Sequence, residues 1–204
     1  AQRAERQSDW RQLGLDWNAV GDEQTVHHRR CAQLHDRGDG SQHGSADSLA
    51  MAPCQKLDLV EVRPHGLRHL HAMFARYFID VKYPGQFSMA AVQQVWAPLL
   101  DRGVATIRVA MLDGYTVGVS GVTYMQDTFN GEQTATMVFF WVDPLARGNG
   151  VGKAMLEQAE RDSRAHGCTN IVHGHMFTVN EDGGRGIFEK RGYEVIELGF
   201  RKRL

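Results

Sequence analysis

Two apolar runs, VATIRVAML at residues 104–112 and YTVGVSGVTYM at 115–125, face each other across the dipeptide Asp113-Gly114. That dipeptide supplies the positive φ angles of a two-residue hairpin turn, so the runs are expected to pair as antiparallel strands. Asn130-Gly131 repeats the device. The run that follows it, TATMVFFWV, carries apolar groups on both faces, as a central strand covered on both sides does. The middle of the chain is thereby committed to a three-strand meander.

Beyond the third strand the chain passes Asp143-Pro144 and a glycine-rich turn, then enters GVGKAMLEQAERDSRAHG. Val151, Met155 and Ala159 line one stripe of this predicted helix, Gly167 stops it, and Arg164 and His166 sit in the last turn, where cations are favoured. NIVHGHMF then reads as a strand, and a strand-helix-strand unit sets its two strands parallel with a right-handed crossover. Upstream, KLDLVEV from Leu57 suits a first strand closed by Pro64. Helical spacing runs over about 66–80 and 88–100, with a break at Pro84-Gly85. A short helix near 184–191 closed by Gly192 and a last strand YEVIELGFRKRL complete the pattern. The expected fold is α/β (α+β), a mixed, mostly antiparallel central sheet flanked by helices.

With 204 residues, 42% of them apolar, the chain fits one domain with an appendage. Residues 1–50 are rich in Gln, Arg, Asp, His, Gly and Ser and hold only scattered apolar side chains, too few to offset the entropy of ordering. They are expected to be a poorly ordered extension to a domain over 51–204. His27, His28, Cys31, His35 and His43 match no standard zinc spacing. A net charge of -1 gives no cationic field for a nucleic-acid backbone. Three cysteines at unrelated spacings argue against a disulfide framework, and no run approaches the roughly 20 apolar residues that span a bilayer. A cytoplasmic protein with no membrane partner is expected.

A glycine turn that opens directly into a helix presents unpaired N–H groups and a positive dipole end, which suits a phosphate. A Walker A loop would need glycine where Arg147 stands and a hydroxyl where Ala154 stands, so nucleoside triphosphate hydrolysis is not expected. A dinucleotide fingerprint belongs to an all-parallel unit, whereas these glycines, at 148, 150 and 152, follow an antiparallel meander.

What remains is Arg-x-x-Gly-x-Gly at Arg147, Gly150 and Gly152, within WVDPLARGNGVGKAML, followed downstream by IFEKRGYEVIE. Over about residues 57–204 these segments resemble the GNAT superfamily of N-acetyltransferases. The resemblance implies a GNAT-like acyl-CoA N-acyltransferase fold and acetyl-CoA as co-substrate, with no metal needed. It further implies that Arg147, Gly148, Asn149, Gly150, Val151 and Gly152 bind the pyrophosphate through their amides, with Arg147 adding charge and the glycines letting the backbone approach. Lys153 either contacts the cofactor or projects into solvent. The third strand would splay from the next so that the pantetheine arm bonds along it, and an N–H near Val142 would polarise the thioester carbonyl. The second substrate would be an amine acceptor, and a homodimer is common in families of this kind.

Proton transfer is less legible, because the tyrosine that such enzymes use as an acid aligns with Phe188, and Tyr193 matches a structural aromatic. His173 and His175 share one face of their expected strand, and an unperturbed imidazole titrates near neutrality as a general base should, so they are the candidate catalytic bases, with Glu132 at the start of the third strand as another. Each also has an ordinary reading as a surface or structural residue. Asp80, Asp127, Glu181 and Asp182 are candidates for attracting a cationic amine. Trp141 and the Phe139-Phe140 pair read as core, and Cys168 as a small packing residue rather than a nucleophile. An acyl-CoA-binding or regulatory module without catalysis, and a structural domain whose glycine turn only connects strand to helix, are the competing functional readings.

Overall fold

The computed structural model describes residues 26–30, 55–174, 186 and 188–196. Among the described residues six strands form one sheet in sequence order: β1 (Val26–Arg30), β2 (Gln55–Glu61), β3 (Ala105–Leu112), β4 (Tyr115–Gln126), β5 (Gln133–Val142) and β6 (Asn170–His173). Neighbours are antiparallel except β5 and β6, which are parallel. The helices that accompany them include α1 (His71–Asp80), α2 (Met89–Asp101) and α3 (Val151–Ala165). None of the helices described is long and apolar enough to cross a membrane.

The β3–β4 hairpin turns on Asp113 at φ 50 and Gly114 at φ 84, the left-handed pair that the dipeptide promises. The β4–β5 connection departs from the expected two-residue turn. Gly131 is left-handed at φ 75, but the Asp127 carboxylate accepts from the amides of Phe129 and Asn130, and the Asp127 N–H reaches the Glu132 carbonyl at 2.7 Å. A side chain that satisfies two loop amides stabilises a wider turn, so the hairpin closes outside Asn130-Gly131.

The first predicted helix also differs in its opening. Pro64–Leu70 forms a 3-10 helix, with the proline in the first turn where its missing N–H is no loss, before α1 begins at His71. α2 is capped by Ser88, whose hydroxyl accepts from the Ala91 amide at 3.2 Å. Within the extension expected over 1–50, residues 26–30 form β1, because the outer edge of β2 supplies backbone partners that a count of local apolar residues does not register. The rest of 1–50 lies outside the described residues. So do 197–204, most of the predicted last strand, while its first residues, 193–196, are not in a strand. The short helix expected near 184–191 is seen at Gly186 and Phe188–Glu189 and ends at Gly192, φ 82.

The sheet is covered on both faces. Ile107, Val109, Met111, Val119, Phe139 and Trp141 pack against Leu67, Leu70, Met73, Phe74 and Trp96 from the α1–α2 side. On the other face Leu57, Leu59 and Ala110 meet Val151, Ala154 and Met155 of α3, and Val122, Ala135 and Met137 meet Leu156 and Ala159. β3 is therefore buried along nearly its whole length. The parallel β5–α3–β6 unit brings the start of α3 beside the C-terminal end of β5, and that junction is where the site forms.

Candidate functional site

At the end of β5, Asp143 closes a 3-10 turn over Pro144–Ala146 by accepting from the Leu145 amide at 3.0 Å. Arg147 is extended, Gly148 (φ 81) and Gly150 (φ 71) are left-handed, and α3 begins at Val151. Two left-handed residues within three positions reverse the chain from strand to helix, a conformation that a side chain would strain. The space around Gly148 is open, since a Cβ there would meet nothing within 4 Å. Gly150 as N-cap brings no side chain to the helix start, so no cap bond covers the first-turn amides. Val151, buried with Leu57, Leu59 and Met155, anchors that turn in the core. Gly152 follows in the first turn, where a Cβ would stand 3.6 Å from the Phe140 ring and 3.7 Å from Val142 Cγ2. Open space, left-handed glycines and uncapped amides at a positive dipole end are what a pyrophosphate requires.

The neighbouring strand edge has a matching geometry. β6 pairs with β5 only from Thr134 to Met137, so among the described residues Val138 to Val142 have no strand partner on that side. Val138 is the extra residue of a β-bulge, because Gly121 pairs with Phe139 and Val122 with Met137. Asp143 N–H donates to Val117 of β4 at 2.8 Å. Alternation along the strand then turns the N–H and C=O of Val142 away from β4, toward the unpaired edge. The Val142 carbonyl takes a bond from Arg147 Nε at 2.9 Å, on that same side.

The other expected site residues fall in different places. Lys153 is largely exposed and lies 3.8 Å from Glu157, one turn along α3. Asn149 lies in the loop between the two left-handed glycines. His173 is half-buried at the end of β6; its ring stacks on Phe188 at 4.4 Å and lies edge-to-face with Phe140, which also borders the Gly152 turn. His175, Glu181 and Asp182 lie outside the described residues. Glu132 sits at the opposite end of β5 from Val142, where its carboxylate accepts from Thr169 Oγ1 and Asn170 Nδ2 at 3.2 and 3.1 Å. Asp127 is bound up in the hairpin loop; the two loop amides hold its carboxyl below the usual range.

Tyr193 packs on Phe188, and its hydroxyl donates to Glu160 at 3.3 Å; burial first, then the Glu160 charge, push it up to about 12. It is thus a held phenol on the α3 side, in keeping with a structural aromatic. Burial also raises the Cys168 thiol, away from the thiolate that a nucleophile needs. Trp141 and Phe139 belong to the core, with Phe139 ringed by Phe74, Tyr77 and Trp96.

One arrangement has no counterpart in the expectations. Arg76 and Asp80, one turn apart on α1, meet Asp143 and Arg147, four residues apart on the loop, in opposite charge order. Arg76 pairs with Asp143 at 2.6 Å and Asp80 with Arg147 at 2.6 Å. Asp80 also accepts from the Trp141 indole at 2.7 Å. The carboxylate considered for an amine is thus engaged with β5 and the loop. The i, i+4 spacing of opposite charges in each segment was the available signal, but nothing in sequence ties segments 67 residues apart.

Residues 67–193 match the model of the acetyltransferase (GNAT) family. Among curated proteins, the chain is 29% identical over 84 residues to an aminoglycoside N(6')-acetyltransferase type 1 of Stenotrophomonas maltophilia, a match covering 40% of this chain and 55% of that one. The chain thus spans about half the length of this curated relative. Among solved structures, a predicted acetyltransferase from Clostridium acetobutylicum, with acetyl-CoA, superposes with a TM-score of 0.61 at 12% identity, covering 72% of this chain and 96% of that one. A ribosomal-protein-alanine N-acetyltransferase from Brucella melitensis biovar Abortus does so with a TM-score of 0.57 at 19% identity, covering 72% and 99%.

Proposed function

The chain belongs to the GNAT acetyltransferase family, and on that premise we propose that it transfers an acetyl group from acetyl-CoA to a primary amine by direct attack in a ternary complex. The observation that carries this reading is the junction of two features: the uncapped start of α3 at Gly150 and the edge of β5 ending at Val142, which has no strand partner among the described residues. The amides from Arg147 to Gly152 bind the pyrophosphate, and the pantetheine arm runs along Val138–Val142. The outward Val142 N–H donates to the thioester carbonyl as negative charge builds on its oxygen, a contact whose loss typically costs about 3 to 4 kcal/mol of barrier. The amine nitrogen forms the new bond to carbon, the carbon–sulfur bond breaks, and the electron pair leaves on sulfur.

The amine must attack in its neutral form, so a base takes its proton. His173 and His175 are the proposed groups. His173 packs against Phe140 beside the Gly152 turn, and His175, two residues further along the sequence, is the second candidate. Glu132 is the weaker candidate, because it is engaged with Thr169 and Asn170 at the far end of β5. Aminoglycosides are the first acceptors to screen, given the name of the curated relative, and amino-terminal alanine peptides the second.

The test is a thermal-shift titration of the full chain with acetyl-CoA beside Gly150→Glu, which puts a strained, negatively charged residue at the proposed anion site. Ligand at about 100 times its dissociation constant stabilises the native state by about 2.7 kcal/mol. A saturable shift in the parent protein that is lost in the variant, followed by amine-dependent release of free thiol, is the expected result. Cooperative melting with no shift in the parent protein overturns the reading. A second reading, an acyl-CoA-binding module without turnover, is favoured by Phe188 at the position of the usual tyrosine; it predicts the shift without thiol release on any amine.

A further inference from the structure

We propose that Asp80 of α1 is a positioning residue for the pyrophosphate loop: it holds the Arg147 guanidinium against the Val142 carbonyl, so that this arginine braces the loop from behind while backbone amides alone take the phosphates. The proposal rests on the acetyl-CoA reading above. Arg147 Nε donates to Val142, five residues back, at 2.9 Å, which closes the turn on itself; its Nη2 donates to Asp80 at 2.6 Å. The same Asp80 oxygen accepts from Trp141 Nε1 at 2.7 Å. One carboxylate therefore grips both sides of Val142, the residue before it through the indole and the loop after it through the guanidinium. Arg76, one turn earlier on α1, pairs with Asp143 at 2.6 Å and lies 5.9 Å from the Trp141 ring centroid.

The planar guanidinium fork is used on two acceptors of fixed direction, the Val142 carbonyl and the Asp80 carboxylate. Its charge is balanced by Asp80, leaving little positive field of its own for a phosphate. Both partners are partly exposed, with side-chain exposures of 48% and 28%, so the pair contributes little to global stability. What it fixes is the position of the loop relative to β5. Affinity for acetyl-CoA, rather than melting temperature, is the property that reports it.

The rival arrangement gives the opposite sign. If the Arg147 side chain were itself a phosphate ligand, Asp80 would compete for it, and removing the carboxylate charge would tighten binding. Calorimetric titration of acetyl-CoA into the full chain, Asp80→Asn, Arg147→Gln and the double variant separates the two, with ligand-free melting measured in parallel. Each single change is expected to weaken binding about tenfold, from the loss of a charge-assisted bond that sets the loop. The double variant should be no worse than either single one, since both break the same brace. Asp80→Glu should recover part of the affinity, and melting temperatures should stay close to that of the parent protein. Unchanged or tighter binding by Asp80→Asn, or additive losses in the double variant, overturns the proposal while leaving the acetyl-CoA reading intact. If Asp80→Asn does not fold, wild-type affinity in Arg147→Gln overturns it just as well. Absence of binding by the parent protein overturns both.

Discussion

The tip of the Phe139 ring lies over Gly121 of the neighbouring strand, so that a Cβ on Gly121 would overlap its Cζ and both Cε atoms. Phe139 is also the hub of the aromatic cluster on the α1–α2 face, with Phe74 edge-on at 5.3 Å and Trp96 edge-on at 4.9 Å. The absence of one side chain on β4 thus sets where a ring of β5 sits, directly beside the bulge at Val138.

Gly121→Ala is expected to destabilise the fold by about 1 to 3 kcal/mol, the usual cost of overpacking a core that cannot yield freely. Thermal melting checks this, at about 2–4 °C per kcal/mol for a chain of this size. Trimming the ring in Gly121→Ala/Phe139→Leu should recover part of the loss, because the two sites share one contact.

On the opposite face, Arg108 of β3 is buried to 7% exposure and forms a two-point bond with Asp162 of α3 through Nε and Nη2, the latter at 2.9 Å; Nη2 also reaches Glu61 at 3.3 Å. Asp162→Ala removes the main counter-charge from a cation that water hardly reaches. A loss of about 3 to 5 kcal/mol is expected. Arg108→Met/Asp162→Leu, which removes both charges, should be far less costly. Urea titrations check both as a shift in midpoint at unchanged slope.

Proton transfer is tested separately from cofactor binding. His173→Gln and His175→Gln are each expected to leave the acetyl-CoA dissociation constant within a few-fold of the parent value. Whichever imidazole is the base should lower kcat by about 100-fold or more. Equal, small effects of both substitutions on turnover would move the role off these two histidines.

The features read correctly from sequence are those whose cause is local. Asp113-Gly114 carries its own turn geometry, and Gly148 and Gly150 carry theirs, so the hairpin and the helix start were legible without knowledge of any partner. Asn130-Gly131 misled because the Asp127 side chain competes for the loop amides, a choice that depends on three residues further back. β1 was hidden because its partner, not its own composition, supplies the reason to order. The brace from Arg76 and Asp80 to Asp143 and Arg147 was hidden for the same reason, since each charge taken alone reads as a solvated surface residue.

Tyr124 offers a pH signature of the fold. Its ring stacks on His166 at 3.8 Å, its hydroxyl donates to Thr106 at 3.0 Å, and only 4% of its surface is exposed. Burial, partly opposed by that hydrogen bond, pushes the phenol from 10.0 up to about 12. A folded-state value above the unfolded one means that the native state holds the proton over a window in which the unfolded chain has lost it. Stability is therefore full below about pH 10 and falls as pH rises toward 12, by roughly 2 to 3 kcal/mol from this group. Other phenols, Tyr193 among them, also contribute to the alkaline loss, so the informative quantity is a difference. Tyr124→Phe is expected to be less stable than the parent protein at pH 8, having lost the bond to Thr106, and to lose less with rising pH. Urea midpoints of the two proteins between pH 8 and 12 should converge. Parallel curves would mean that the Tyr124 hydroxyl titrates as it does in the unfolded chain, and that its burial beneath His166 is not maintained in solution.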